Sequence, residues 1–225
     1  MLIRKILKKD KNNSVTAEAG WVVLFDGETT NGWHSYGKQT AAGAWKVENG
    51  TLYLAAASKA YDEDSGDLVS DAVFEEFHLK LEWKVAPGGN SGILIHVQDE
   101  PEKYKRTWMT GPEMQLLDNE RHPDARIPKR KAGDLYDIVA GNPDNANPAG
   151  TWNEAEIICK NNQLKFYQNG EMILTTTLWD DHWRQLIANS KFKDYPYFGT
   201  FRSGHIVLQD HRDEVWFRNI KVRKL

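Results

Sequence analysis

The sequence has a single cysteine, Cys159, so an internal disulfide and a cysteine-based zinc site are both excluded. Cys159 ends the apolar run 157–159, which is typical of a buried structural thiol rather than of a nucleophile. No uninterrupted apolar stretch reaches the length of a membrane-spanning helix. Positive charge is not in excess either, because 32 acidic side chains outnumber 29 basic ones and the net charge is −3. A chain without a positive field is a poor partner for nucleic acid.

The remaining composition indicates a folded chain whose ordered part begins near residue 20. Hydrophobic residues make up 40% of the sequence and charged residues 27%, which is ordinary globular usage. Residues 1–19 are polar and charged without a period, so we expect a flexible leader there and a single domain over residues 20–225. The leader lacks the apolar core of a secretory signal. We therefore expect either a cytoplasmic protein or one whose export signal is missing from this sequence.

Short strands separated by tight turns dominate the chain. Strict alternation over residues 77–85 predicts a half-buried antiparallel strand. Asn-Gly pairs at 49–50 and 169–170 predict two hairpins. Apolar spacing predicts one short helix near 181–190. Further strands are predicted at 21–25, 92–97, 113–117, 206–209 and 215–222. Many short strands with almost no helix indicate an all-β sandwich or jelly roll.

Two polar loops, 99–112 and 118–150, are too long for simple connections. Loops of that length in a compact β domain commonly form the walls of a binding site, although solvated surface elaborations are the alternative.

The segment 113–118 carries the most informative polar residues. On a strand, Met114 and Leu116 would point into the core, so Glu113 and Gln115 would face the other way, about 7 Å apart. If that face is the concave side of the sandwich, the pair can bind sugar hydroxyls while Glu113 moves protons. The alternative is a solvent-facing pair on an ordinary strand.

The same alternation argues against a conventional glycosidase on this strand. Such enzymes need two carboxyl groups about 5–10 Å apart, and position 115 is an amide while Asp118 has the wrong parity. A second carboxylate would have to come from elsewhere, such as Glu82 or Glu156.

Two further segments offer polar groups that could reach the same cleft. Gln209 shares its strand face with His211, whose imidazole is a plausible proton donor near neutral pH, although a lone histidine is more often structural. The glycine-rich turn 87–92 allows close approach of a ligand, and Asn90 and Ser91 would offer hydrogen bonds there. His96, on the strand that follows, could face the cleft too.

Cofactor motifs are absent from the sequence. We find no phosphate-binding loop, no dinucleotide fingerprint and no zinc-protease helix motif, so no cofactor is expected. A metal site built from His122 with Asp118 and Asp124 can be imagined, but its loop geometry is unspecified and we do not predict it.

Taken in order, seven segments resemble the 3-keto-disaccharide hydrolase family from Trp21 to the C-terminus. They are WVVLFDGETTNGW (21–33), GGNSGILIHV (88–97), GPEMQLLDNERH (111–122), AGDLYDIV (132–139), GTWNEAEI (150–157), the hairpin at 169–170, and GHIVLQDHRDEVWFRNIKVRKL (204–225). The resemblance implies a concanavalin-like jelly-roll sandwich of two antiparallel sheets that acts on glycosides oxidised at C3. It also implies export to the periplasm or cell exterior, which the visible N-terminus does not show.

The resemblance also implies which residues surround the sugar. Carried over by position, they are Asn90, Ser91, His96, Glu113, Gln115, Asp118, Tyr136, Gln209 and His211. Many relatives carry arginine where His96 stands, which departs from the family pattern.

The implied chemistry needs one base and one acid. A ketone at C3 acidifies the C2 proton, so Glu113 can abstract it and His211 can protonate the leaving oxygen, while Gln115, Asn90 or Tyr136 steadies the enolate. Direct hydrolysis is an open alternative to this elimination and rehydration. A non-catalytic carbohydrate-binding module, a conventional glycoside hydrolase and a laminin-G-type interaction domain are the other readings. A small carbohydrate is the expected partner, and the oligomeric state is not predicted.

Overall fold

The computed structural model describes residues 20–55 and 65–225, so the predicted leader at 1–19 lies outside the described residues. In chain order its elements are β1 (Val22–Val23), β2 (Trp33–Ser35), β3 (Trp45–Glu48), β4 (Thr51–Leu54), β5 (Leu68–Phe74), β6 (Phe77–Val85), β7 (Asn90–Val97), β8 (Glu113–Leu117), β9 (Asn153–Lys160), β10 (Gln163–Gln168), β11 (Glu171–Thr177), α1 (Asp181–Ala188), β12 (Gly204–Leu208) and β13 (Val215–Lys224). Within this part of the chain, no helix is long and apolar enough to cross a membrane.

The strands form two antiparallel sheets. The larger sheet has the order β11-β10-β9-β6-β13-β4-β3, with β1 added against β13, and the smaller has the order β2-β5-β12-β7-β8. The predicted all-β class, with two antiparallel sheets and one short helix, is confirmed.

Local sequence signals fix several of these elements. The alternating segment 77–85 coincides with β6, and its odd-numbered side chains are buried. Asn49 and Asn169 both adopt the left-handed conformation in front of glycine, which is the geometry of a tight hairpin turn. The predicted helix is α1, and the carboxylate of Asp180 caps it by accepting the Trp183 amide at 2.7 Å.

The main hydrophobic core lies between the two sheets. Trp83, Phe166 and Phe217 contribute to it from the larger sheet, and Met114 and Leu116 contribute from β8. The smaller sheet is also covered on its other face, because all eight residues of β7 are buried. A second, smaller apolar cluster lies on that outer face and consists of Val69, Leu94, Val97 and Val207, with Tyr36 and Trp108 against it. Within the smaller sheet, β7 is therefore buried on both faces, whereas residues 71–73 of β5 are exposed.

A bulge in β7 turns His96 away from the outer face. Leu94 pairs with Val207 and Val97 pairs with His205, so three steps along β7 oppose two along β12. His96 has a φ of 53° at this point, and the side-chain alternation breaks there. Its Nε2 lies 3.0 Å from the carbonyl oxygen of Glu75, and its ring packs against Phe77. The expectation that His96 faces the cleft is thus wrong, because strict alternation does not survive an inserted residue.

The bulge requires a glycine on the neighbouring strand. A Cβ atom at Gly204 would lie 2.3 Å from the backbone carbon of His96, which is backbone and cannot swing aside. We expect Gly204→Ala to lower the free energy of unfolding by about 1–3 kcal/mol through overpacking between β12 and β7. Denaturant unfolding measures the change. The control is Ser203→Ala, at the exposed residue next to Gly204. Its free energy of unfolding should stay within about 0.5 kcal/mol of the wild-type value. Equal stabilities for the two variants would contradict the close packing.

Candidate active site

A polar cavity of about 740 Å³ opens on the outer face of the smaller sheet. Strands β7 and β8 and the segment after β12 form its floor, and the two long loops around 101–108 and 136 form part of its walls. Its lining residues are Tyr36, Lys38, Ser65, Gly66, Asp67, Asn90, Pro101, Lys105, Arg106, Thr107, Trp108, Glu113, Gln115, Tyr136, Lys191, Gln209, Asp210 and His211. The cavity is thus lined by six of the nine residues that were predicted from the sequence to surround the sugar.

Glu113 is a buried titratable group on the floor of this cavity. Its side chain points away from Met114 and Leu116, as strand parity predicts, and the residue is only 5% exposed. Burial raises the pKa of Glu113 to about 8, and the negative charges of Asp67 and Asp124 add to the increase. The positive charge of Lys191 opposes it. The carboxyl group is therefore mostly protonated at neutral pH in the ligand-free protein.

Gln115 on β8 and Gly92 on the neighbouring strand β7 fix the position of this carboxyl group. With its nitrogen directed inward, the amide of Gln115 donates to the backbone oxygen of Ser91 at 3.1 Å and to Oε1 of Glu113 at 3.2 Å. Gly92 leaves the space that the carboxyl group fills, because a Cβ atom there would lie 2.0 Å from Oε1 of Glu113. The position of Glu113 thus depends on the absence of a side chain at residue 92.

Tyr136 and Lys191 line the cavity together with Glu113. The backbone amide of Tyr136 donates to the Glu113 carbonyl at 2.9 Å, which attaches the long loop to the edge of β8. The phenol of Tyr136 donates to Asp124 at 2.7 Å, and Nζ of Lys191 lies 4.0 Å from the centre of the Tyr136 ring. Burial lowers the pKa of Lys191. Lys191 was missed by sequence reasoning, since nothing in the local sequence separates it from a solvated surface lysine.

A second acidic group, Asp67, lies in the same cavity and was also missed. One of its carboxylate oxygens accepts the hydroxyl of Thr107, and the other accepts the Asp210 amide at 2.8 Å. Asp210 in turn accepts the Gly66 amide at 2.8 Å. Burial raises the pKa of Asp67 to about 6. Asp67 and Asp210 are far apart in sequence, so only the fold could reveal their pairing.

His211 lies at the mouth of the cavity and is considerably more exposed than Glu113. Its side chain is 46% exposed, and Nδ1 lies 3.5 Å from Oδ2 of Asp213. The His211 ring meets that of His122 edge to face at 6.0 Å between centres. Burial lowers the pKa of His122. Asn90 connects this group to β7, because its backbone amide donates to Asp213 at 3.1 Å.

Two other nominated residues support the frame and do not line the cavity. Ser91 is fully buried, and its hydroxyl donates to the backbone oxygen of Gln209 at 2.8 Å. Asp118 accepts the amides of Gly88 at 2.8 Å and Glu120 at 3.0 Å, so it fixes two turns. The expectation that Ser91 and Asp118 point into the cleft is corrected accordingly, because backbone amides and carbonyls already occupy their polar atoms.

The larger sheet holds the two glutamates that were considered as partners for Glu113. Glu82 pairs with Arg218 at 2.6 Å, and Glu156 pairs with His78 at 2.7 Å. Neither lines the cavity. Asp67 is a further carboxyl group of the cavity, and its negative charge acts on Glu113.

Comparison with known proteins agrees with this fold. The model of the 3-keto-alpha-glucoside-1,2-lyase-like domain matches residues 20–223. A 3-keto-disaccharide hydrolase of Bacteroides thetaiotaomicron is 38% identical over 92% of this chain and 79% of its own length.

Solved structures give the same result. A Parabacteroides distasonis protein described as a candidate glycosyl hydrolase has a TM-score of 0.81 and 30% identity, covering 92% of this chain and 94% of its own. A Bacillus subtilis protein with a galectin-like fold has a TM-score of 0.53 and 16% identity, covering 85% of this chain and 88% of its own, and it supports the fold alone. The chain belongs to the family of 3-keto-alpha-glucoside-1,2-lyase-like domains.

Proposed function

We propose that this chain is an enzyme that cleaves the glycosidic bond of glycosides carrying a ketone at C3. The family membership and the name of the Bacteroides relative support this substrate class. The structural observation that carries the proposal is the buried carboxyl group of Glu113 on the floor of a polar cavity, with its pKa raised to about 8. Such a group is costly to bury and is a strong base once ionised.

The first step is removal of the C2 proton by the Glu113 carboxylate. The ketone at C3 accepts the electron pair as an enolate, and Lys191 is a cationic group of the cavity whose charge acts on Glu113. The phenol of Tyr136 already donates to Asp124, so Lys191 is better placed than Tyr136 to offset the new negative charge.

The second step breaks the bond between C1 and the glycosidic oxygen. The enolate electrons form a double bond between C1 and C2, and the glycosidic oxygen leaves with the bonding pair and takes a proton. His211, at the cavity mouth, is the proposed proton donor. Addition of water across the double bond then gives the free 3-keto sugar.

Asp67, which is mostly ionised at neutral pH, accepts hydrogen bonds from sugar hydroxyls.

Asp67 also supports a second candidate function, direct hydrolysis of unoxidised glycosides. Conventional glycosidases use two carboxyl groups with different pKa values, and Asp67 and Glu113, at about 6 and about 8, differ in that way. Turnover of an unoxidised glucoside as fast as its 3-keto form would favour this function over elimination. A purely sugar-binding role is less favoured, because it gives no reason to bury Glu113.

Replacing the carboxyl group of Glu113 tests its role directly. We expect Glu113→Gln to reduce turnover of a 3-keto-glucoside by about 10²–10⁴-fold, because an amide cannot accept the C2 proton. Exchange of the C2 proton with deuterated solvent, followed by NMR, should be lost in parallel. The matched control is Glu102→Gln, an exposed glutamate, which should behave like the wild type. Unchanged turnover in Glu113→Gln would remove this residue from the mechanism.

The raised pKa of Glu113 predicts two pH dependences. Since the base form predominates only above pH 8, kcat/KM should rise with pH through about 8.

The free energy of unfolding should change with pH in the opposite direction. The folded state holds a proton on Glu113 that the unfolded chain releases near pH 4.5, so the free energy of unfolding falls as pH rises from about 5 to 8. Denaturant unfolding across this range should show a flatter profile for Glu113→Gln. Parallel profiles for the two proteins would contradict the burial argument.

The space beside Gly92 gives an independent test of where the carboxyl group must lie. We expect Gly92→Ala to displace the Glu113 side chain and to lower kcat by about 10-fold or more, because small misplacements of a catalytic group are costly. In the Glu113→Gln background the same substitution should cause little further loss of turnover. Additive losses in the double variant would show that Gly92 acts through something other than Glu113.

A further inference from the structure

Three side chains at the mouth of the cavity converge in a way that the proposed mechanism does not use. His122, His211 and Asp213 each offer one ligand atom, and these three atoms all lie within 4.8 Å of one another. Two imidazoles and one carboxylate at this separation can surround a single ion.

The turn after β12 presents two of these groups together. Arg212 adopts a φ of 65°, and its amide donates to Oδ1 of Asp210 at 2.9 Å. This left-handed residue brings its two neighbours toward each other, so that Nδ1 of His211 lies 3.5 Å from Oδ2 of Asp213. The buried carboxylate of Asp210 therefore fixes the turn that carries the pair.

Asn90 links the third group to this pair. Its backbone amide donates to Oδ2 of Asp213, and its side-chain nitrogen lies 3.5 Å from Nε2 of His122. Asn90 is itself 3% exposed and begins β7. Asp213 is thus held against the sheet by the backbone of a buried residue, which is the kind of outer support that metal ligands have in proteins.

We propose that His122, His211 and Asp213 bind a divalent transition-metal ion at the mouth of the cavity. Imidazole nitrogens favour zinc and other late first-row transition-metal ions over magnesium, calcium and manganese, which prefer oxygen ligands. Three protein ligands leave coordination positions open for water or for substrate oxygens, as in catalytic metal sites.

Binding of the metal ion would break local contacts of His122. In the ligand-free protein, Nδ1 of His122 accepts the Asp124 amide at 3.2 Å. Coordination through Nε2, the nitrogen beside Asn90, leaves the imidazole proton on Nδ1, so the contacts from the Asp124 amide and from the Asn90 side chain must both open. The metal–nitrogen bond therefore replaces two long contacts of His122, one of which lies at the start of the 3₁₀ turn Pro123–Arg126.

The site also deepens the proposed function, on which this step rests. With the metal bound, the lone pair of His211 is engaged, and a metal-bound water gives the proton to the leaving oxygen and becomes hydroxide. The role of His211 then changes from acid to ligand.

The test is metal binding by the full chain after treatment with a chelator. Titration calorimetry with Zn²⁺ and the visible absorption of Co²⁺ should show one ion per chain, with no comparable binding of Mg²⁺ or Ca²⁺. We expect His211→Ala and Asp213→Asn each to weaken Zn²⁺ binding by about 100-fold. The control is His182→Ala, an exposed histidine on α1, which should bind as the wild type does.

Metal binding tests the proposed metal site, whereas turnover of a 3-keto-glucoside tests the proposed function. Absence of stoichiometric Zn²⁺ or Co²⁺ binding, or binding that survives His211→Ala unchanged, overturns the metal site. Turnover of a 3-keto-glucoside by the chelated protein would then leave the proposed function standing with His211 as the acid. Stoichiometric binding lost in the variants, in a protein that turns over no keto-glycoside, would support the metal site and overturn the proposed function.

Discussion

The burial of the Glu113 carboxyl group depends on the parity of one five-residue strand. Met114 and Leu116 are held in the main core, and this fixes Glu113 and Gln115 on the opposite face. A shift of β8 by one residue would exchange the two sets, placing a carboxyl group in the core. The hydrophobic core between the sheets therefore sets the register of the strand, and the register sets the chemistry of the cavity.

The second requirement is that the outer face of the smaller sheet is covered. An uncovered carboxylate on an antiparallel sheet would be solvated and would titrate near its ordinary pKa. Here the loops around 101–108 and 136 close over the sheet, and they are attached to it by backbone hydrogen bonds such as that from Tyr136 to Glu113. The small apolar cluster around Leu94 and Val207 supports this cover from beneath. Desolvation, more than any single charge, then raises the pKa of Glu113.

The polar groups of the cavity separate into two ends. At the inner end, Glu113 and Asp67 have pKa values near 8 and near 6, so a protonated carboxyl group and an ionised one coexist at neutral pH. At the mouth, His211 and Asp213 are partly exposed and are organised by Asn90. Asp210 is shared between the ends, since it supports Gly66 beside Asp67 and the turn that carries His211. A sugar spanning the cavity would thus meet a buried, desolvated end and a solvated, nitrogen-rich end.

The sequence by itself determined the elements whose signals are local. Alternation located β6, Asn-Gly pairs located both hairpins, and the parity of the 113–117 segment oriented Glu113 and Gln115. Alternation failed at His96, because a bulge inserts one residue and reverses the face, and Ser91 and Asp118 could not be told from ligand-binding groups. Only the tertiary structure decided which distant residues share the cavity: Lys191, and Asp67 paired with Asp210, have no local signature. Periodicity reports what lies on one strand, whereas the pairing of loops 143 residues apart is set by how the sheets and their covers pack.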